Sequence, residues 1–183
     1  MGFEACLAVV LAAEGGFVDD PADPGGATNL GITRATLSSW LGRLATIADV
    51  EALTPALAGA IYRARYWNPA HAGKCPPGVD LMVFDEAVNQ GVGRAIASLQ
   101  TAAGVAPDGA FGPATRAAIA AAAPAELIRA IAADRIRHYR ALPTFPRFGR
   151  GWLARVDRTT GAALEMAAGT VVYGVSTVGA AAE

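Results

Sequence analysis

The sequence predicts a mainly α-helical protein with a short β-hairpin or irregular loop after its first helix. Apolar residues recur at the three–four spacing of amphipathic helices through most of the 183 residues, and 53% of the chain is hydrophobic, as in folded proteins. Strand-like segments are confined to residues 16–20 and 27–33, around a loop rich in Asp, Pro and Gly. These observations exclude a β-rich or disordered class.

The first helix is predicted from about Gly2 to Glu14. Gly15 and Gly16 end it, because glycine adopts positive φ without steric cost. Four apolar residues share one stripe of this helix: Phe3, Leu7, Val10 and Leu11. The run resembles the core of a secretory signal, but residues 1–4 carry no basic side chain, so we interpret it as a buried helix.

Two capped helices follow the loop. Thr33 is placed to cap a helix that runs to about Leu41, with Gly42 at its end. Thr54-Pro55 gives a cap and a proline at the first helical position of the next helix, which is predicted to end near Asn68.

The segment VDLMVFDEAVNQG, which begins at Val79, predicts a central helix that is hydrophobic on most sides. Asp85 and Glu86 lie inside it. Because a buried carboxylate needs a partner, we expect Asp85 to pair with an arginine or with backbone amides, and a second catalytic acid is the alternative reading.

Helical signals continue to the end of the chain. Further helices are predicted from about Arg94, from Pro113, from Pro124 and, last, over about 151–168. Residues 169–183 are expected to form a flexible tail. No segment reaches the roughly 18 to 20 apolar residues of a membrane span, so no stable span is expected.

Charge and metal-ligand content limit the possible functions. The net charge is −1, although 129–158 holds eight arginines against two aspartates and so forms a basic side. With two histidines and two cysteines in no ligand spacing, we expect free thiols, no metal site and no cofactor. Nucleic acid is not an expected partner, and the chain is expected to be a monomer.

Glu14 is the candidate catalytic residue, because it follows an apolar helix and precedes a loop crowded with polar groups. Glycoside hydrolysis needs a carboxylic acid that protonates the leaving oxygen and a second group that positions water or stabilises the cation. From the residues alone, the second group is Asp20, Asp23 or Thr28. The alternative is a solvated helix end followed by ordinary Asp-Pro turns.

The segment EGGFVDDPADPGGATNLGIT, residues 14–33, resembles the EGG-x-x-x-DP-x-DPGGATN-x-GIT signature of glycoside hydrolase family 108 muramidases. Such proteins occur among phage endolysins and bacterial secretion-activating lysozymes. The similarity continues through IYRARYW and PPGVDLMVFDEAVNQGVGRAIASLQ. VAPDGAFGPATRAAI and FGRGW then resemble the peptidoglycan-binding lobe that usually follows in this family.

The resemblance implies a lysozyme-like helical fold that cleaves the β-1,4 bond between N-acetylmuramic acid and N-acetylglucosamine in bacterial peptidoglycan. It also implies a catalytic region over 1–90 and a helical peptidoglycan-binding-like lobe over 91–168 packed on it. The family's catalytic glutamate falls on Glu14, and its following acidic block falls on Asp20, Asp23 and Thr28.

We therefore expect Glu14 to be the general acid, with its protonated form favoured by apolar surroundings and by the helix end. Asp23 or Thr28 is expected to orient the attacking water, which makes the reaction inverting. Substrate contacts are expected from five residues: Asp20, Asn29, Tyr66, Asn89 and Gln90. Leu30, Glu86 and Gln90 depart from the residues usual in the family.

Two other functions remain compatible with the sequence. A lytic transglycosylase shares the glutamate but forms 1,6-anhydro products, and a wall-binding module without hydrolysis shares the DGAFGPAT block. Because no cleavable signal is recognised, we expect synthesis in the cytoplasm and action on the cell wall, most simply as a phage-type endolysin.

Overall fold

The structure is a computed structural model that describes residues 2–19 and 26–169. The predicted site residues Asp20 and Asp23, and the predicted tail beyond Gly169, lie outside these residues.

The described chain is mainly helical, with one small antiparallel hairpin, as the sequence predicts. Helix α1 spans Phe3–Ala13, strands β1 and β2 span Thr28–Asn29 and Ile32–Thr33, and three helices follow: α2 (Arg34–Leu41), α3 (Ile47–Glu51) and α4 (Pro55–Tyr62). The later helices are α5 (Val79–Gln90), α6 (Val92–Ala102), α7 (Pro113–Ala121), α8 (Pro124–Ala141) and α9 (Phe145–Ala167).

Predicted caps explain several of these bounds. The side chains of Thr33 and Thr54 accept hydrogen bonds from the third backbone N–H of α2 and α4, and Gly42 ends α2 in the left-handed conformation at φ 67°. Helix α3 was not predicted from the sequence, although Thr46 and Asp49 form a reciprocal capping box at its start.

The hairpin is tighter than expected. Asn29 pairs with Ile32, so only Leu30 and Gly31 form the turn, and both have positive φ, as a type I′ turn requires. Of residues 16–19, which the structure describes, only Val18 contributes a bridge, which pairs it with Thr28.

Two other helices differ from expectation. The segment after α4 continues as a π-helical turn over Arg63–Trp67 before the chain leaves the helix. Helix α9 begins at Phe145 rather than near 151, with Pro146 in its first turn. Gly149 allows this earlier start, because a β-carbon there would meet the Phe145 ring at 2.5 Å.

Helix α5 is the centre of the core, with every residue from Val79 to Ala87 buried. Helices α1, α6, α8 and α9 all pack against it. An aromatic cluster joins α1 to α5 and to the π-helical turn: the rings of Phe3, Trp67 and Phe84 pack edge-to-face or tilted at centroid distances of 5.4 to 5.7 Å. Cys6 and Cys75 are free thiols, as predicted.

Candidate active site

Glu14 is the C-cap residue of α1, as the sequence predicts, and its backbone N–H donates to the last carbonyls of the helix. Its side chain retains about one fifth of its exposure, at 20%. The side chain is therefore accessible at the end of a buried helix, which is the position that a proton donor to a bound ligand needs.

The β1–β2 turn lies directly against this side chain. A β-carbon built on Gly31 would stand 2.9 Å from Glu14 Oε2 and 2.3 Å from the Tyr62 hydroxyl. Tyr62 in turn donates a hydrogen bond of 3.0 Å to the carbonyl of Leu30. The turn, Tyr62 and Glu14 thus form one close contact, and Gly31 is the residue that allows it.

Arg155 of α9 binds Glu14 from the other side. Its Nη1 donates to Glu14 Oε1 at 2.8 Å, across 141 residues of chain. The surroundings of Glu14 are therefore not only apolar, as expected from the sequence: they include a charged guanidinium in direct contact with its carboxyl group. Arg155 was not identified from the sequence.

Arg155 also binds Asp85, which is 1% exposed. Its Nε and Nη2 donate to Asp85 Oδ1 at 3.0 and 2.8 Å. The other carboxylate oxygen accepts from Arg135, which is fully buried, at 2.8 Å. The predicted pairing of Asp85 with an arginine is confirmed, with two partners instead of one.

The pKa values of both arginines reflect this pairing. Burial alone lowers the pKa of Arg135, but neighbouring groups, above all the charge of Asp85, raise the pKa overall. For Arg155, burial likewise acts downwards, and Asp85 and Glu14 raise the pKa overall. Both guanidiniums therefore remain charged.

Glu86 lies in a second polar cluster between α5, α6 and α8. It is fully buried, its oxygens have no hydrogen-bond partner among the described residues, and Arg94 Nε is 4.0 Å from Oε1. Burial raises the pKa of Glu86 to about 8, although Arg135 and Arg94 oppose the shift. Glu86 is therefore protonated at neutral pH.

The other predicted site residues occupy different environments. Thr28 is half-buried, and its hydroxyl donates to the Gly26 carbonyl at 3.3 Å. Asn29 is 7% exposed, and its amide donates to the carbonyls of Val50 and Glu51 at 3.0 and 3.1 Å, which fastens the hairpin to α3.

Tyr66 is half-buried on the π-helical turn, with its ring 5.8 Å from that of Tyr62. Asn89 is exposed and donates to the Asp85 carbonyl at 2.7 Å. The polar side-chain atoms of Gln90 are buried without a partner among the described residues. Gln90 therefore faces inward on the helix turn that follows Glu86.

The basic side divides into two parts. In the first part, the arginines have acidic partners. Arg135 and Arg155 form interior ion pairs with Asp85, and Arg137 pairs with Asp134, which also binds Arg94. Three arginines around the α8–α9 turn are exposed: Arg140, Arg147 and Arg150. No Asp or Glu occurs between residues 135 and 156, so this turn is strongly basic.

Within residues 2–19 and 26–169, no helix combines the length and apolar character that crossing a bilayer requires. The same residues contain no group of three or more His, Cys, Asp or Glu side chains placed to hold a metal ion.

A mainly helical fold with one small hairpin is that of a lysozyme-like protein, and here it places a glutamate with one fifth of its side chain exposed between the hairpin turn and an arginine. Comparison with protein families gives the specific assignment. Residues 7–91 match the family described as Glycosyl hydrolase 108, and residues 94–157 match the one described as Predicted Peptidoglycan domain.

A solved structure supports the same assignment over nearly the whole chain. SagA of Brucella abortus is 43% identical, superposes with a TM-score of 0.81, and the match covers 90% of this chain and 95% of that one. No protein with a curated description matches the sequence significantly. The chain belongs to the glycosyl hydrolase 108 family and is a glycoside hydrolase that acts on peptidoglycan.

Proposed function

We propose that this peptidoglycan hydrolase cleaves the β-1,4 bond between N-acetylmuramic acid and N-acetylglucosamine, with Glu14 as its general acid. The observation that carries the proposal is the position of Glu14. Its carboxyl group ends a buried helix, remains one-fifth exposed, and is held between the β1–β2 turn and Arg155.

The proton transfer follows from this geometry. Glu14 donates its proton to the glycosidic oxygen as the bond to the anomeric carbon breaks, and the electron pair of that bond leaves with the oxygen. The carboxylate that results faces Arg155 Nη1 at 2.8 Å, so the charge that forms on the enzyme is stabilised where it appears.

A water molecule attacks the anomeric carbon from the opposite face, with Asp23 or Thr28 as the residue that orients it, and the proton that the water loses passes to the Asp23 carboxylate or to solvent. The Thr28 hydroxyl already donates to Gly26, which leaves its oxygen free to accept a hydrogen bond from water. Attack by water gives an inverted product.

Substrate contacts are proposed for Asp20, Tyr66 and Asn89, whereas Gln90 is assigned to the interior because its polar side-chain atoms are buried. The Tyr66 ring, half-buried beside Tyr62, offers an apolar face on which a sugar ring packs. Asn29 is assigned to the scaffold instead, because both hydrogens of its amide are used by carbonyls of α3.

Residues 91–168 are proposed to add wall binding to the catalytic region 1–90, in a monomeric protein that acts on the cell wall as a phage-type endolysin. The match of residues 94–157 to the peptidoglycan domain supports this division. Arg155 belongs to the second region and touches Glu14 of the first, so the division is one of sequence and not of the active site.

Mass spectrometry of digested peptidoglycan tests the reaction. Muropeptides with a hydrolysed N-acetylmuramic acid at the new reducing end are expected. Products that end in N-acetylglucosamine overturn the bond assignment, 1,6-anhydro products indicate a transglycosylase, and an absence of products indicates a binding module. Anomer-resolved NMR of the first product is expected to show inversion, and a retained β-anomer overturns the water-attack mechanism.

Glu14→Gln tests the acid. It is expected to abolish product formation while the circular dichroism spectrum and melting curve stay native. Glu4→Gln is the matched control, because Glu4 lies on the same helix with 80% of its side chain exposed. A Glu14→Gln protein with substantial activity overturns the assignment.

A further inference from the structure

We propose that Asp85 is a positioning residue for Glu14. By holding Arg155, it divides one guanidinium between two carboxylates and sets the pH range in which Glu14 donates its proton. This inference rests on the role of Glu14 as general acid proposed above, and it gives a buried residue far along the chain a specific part in the reaction.

The division is visible in the contacts of Arg155. Two of its nitrogens, Nε and Nη2, donate to Asp85 Oδ1, and only Nη1 donates to Glu14. Because the guanidinium is planar, these three hydrogen bonds fix its orientation. Asp85 therefore determines where the nitrogen that faces Glu14 lies.

Asp85 is fixed in turn by a second arginine on the side away from Arg155. Its second oxygen accepts from Arg135, and its side chain is only 2% exposed, so neither oxygen faces a substrate. The row Glu14, Arg155, Asp85 and Arg135 joins α1, α9, α5 and α8 in one chain of ion pairs. Its formal charges sum to zero when both carboxylates are ionised.

Among the described residues, the charged groups in contact with Glu14 belong to this row. Tyr62 on α4 also faces Glu14, but burial and the charge of Glu14 raise its pKa, so it stays neutral. The turn at Leu30 and Gly31 contributes no titratable group. Within the part of the chain that the structure describes, the positive charge in contact with Glu14 is that of Arg155, Asp85 neutralises Arg155, and Arg135 compensates Asp85.

This arrangement predicts opposite effects for two substitutions. Asp85→Asn removes the charge that neutralises Arg155, so the cation in contact with Glu14 acts without compensation and the acid loses its proton at lower pH. The alkaline limb of kcat/KM is expected to move down by about one pH unit, at the low end of the effect of a nearby charge. Arg155→Gln removes the cation, so the limb is expected to move up.

The experiment measures kcat/KM against pH on soluble peptidoglycan fragments. The matched controls are Asp157→Asn and Arg158→Gln, which change the same charges at exposed positions of α9 and are expected to leave the limb in place. Arg155→Lys, which keeps the charge, is expected to return the limb towards its original position. If Asp85 and Arg155 only stabilised the packing of the helices, their substitution would lower kcat/KM without moving the alkaline limb.

An unmoved limb, or shifts in the same direction for Asp85→Asn and Arg155→Gln, overturns the proposal. If Asp85→Asn does not fold because Arg135 loses its partner, Arg155→Gln still decides, and a limb that does not rise overturns it. The activity of Glu14→Gln separates the two proposals. If Glu14→Gln is inactive and the alkaline limbs of the other variants do not move, only this inference is overturned. If Glu14→Gln is active, the proposed role of Glu14 as general acid is overturned as well.

Discussion

Gly31 lies against Glu14 more closely than any other residue type would allow. A β-carbon at Gly31 would stand 2.9 Å from both Cγ and Oε2 of Glu14, and the backbone there has a φ of +73°. The turn of the hairpin and the end of α1 are therefore fitted to each other, and the position of the candidate acid depends on a residue with no side chain.

Gly31→Ala is accordingly expected to lower both stability and activity. The positive φ lowers the free energy of unfolding by about 1 kcal/mol, because alanine is strained in this conformation. The shift that Glu14 and Tyr62 must make to accommodate the new methyl group costs about as much again. Thermal or urea unfolding measures the loss. Gly42→Ala is the control, because Gly42 has a φ of +67° with nothing within 4 Å, so only the backbone cost applies. Equal losses in the two variants would contradict the proposed fit.

Tyr62→Phe is expected to destabilise the protein by about 1 kcal/mol, because the Leu30 carbonyl loses its donor. The hairpin turn would then be held less firmly against Glu14, so kcat should fall as well. Urea unfolding and steady-state kinetics measure the two effects. Tyr66→Phe serves as comparison and should keep its stability, since no hydrogen bond of the Tyr66 hydroxyl is found among the described residues.

Asn29→Ala is expected to cost about 2 kcal/mol of stability, because the carbonyls of Val50 and Glu51 lose their donor at a buried position. KM for peptidoglycan fragments should stay unchanged where the variant remains folded. A raised KM with full stability would instead return Asn29 to the sugar-binding residues. Asn68→Ala, at an exposed position, controls for the substitution itself.

Glu86 makes stability depend on pH. Its pKa is about 8 in the folded protein against an ordinary 4.5, so the folded state keeps a proton that the unfolded state releases. The contribution to stability is thus complete below pH 4.5 and is lost as pH rises towards 8, by up to about 1.4 kcal/mol per unit.

Glu86→Gln removes this titration. The free energy of unfolding of the variant, relative to the wild type, should therefore increase from pH 5 to pH 8 in urea unfolding. Glu126→Gln, on the exposed side of α8, should run parallel to the wild type. A difference between Glu86→Gln and wild type that does not change with pH would contradict a buried, protonated Glu86.

The exposed arginines at the α8–α9 turn are expected to bind anionic polymers of the cell wall. Replacing Arg140, Arg147 and Arg150 with glutamine should weaken sedimentation with purified walls at low salt, because long-range attraction is lost. Hydrolysis of short soluble fragments should change little. Binding by the triple variant that equals the wild type at every salt concentration would exclude this surface.

Local features were readable from the sequence because their partners lie within a few residues. Thr33 and Thr54 cap the helices that follow them, and Gly42 closes α2, as predicted. The capping box at Thr46 offered the same kind of signal for α3, which the sequence analysis passed over. At the early start of α9, the Phe145 ring lies where a β-carbon at position 149 would be, and no helix-propensity rule contains such a close approach.

The sequence by itself determined the helical class, the hairpin, the family resemblance and the placement of Glu14 at the end of a buried helix. It also required a cation for Asp85, because a buried carboxylate without a partner is too costly. Only the tertiary structure decided which cations these are. Arg135 and Arg155 stand 50 and 70 residues from Asp85, and Arg155 stands 141 from Glu14. Helix packing selects them from the eight arginines of 129–158, because direct ion pairs form only between side chains that the fold brings into contact.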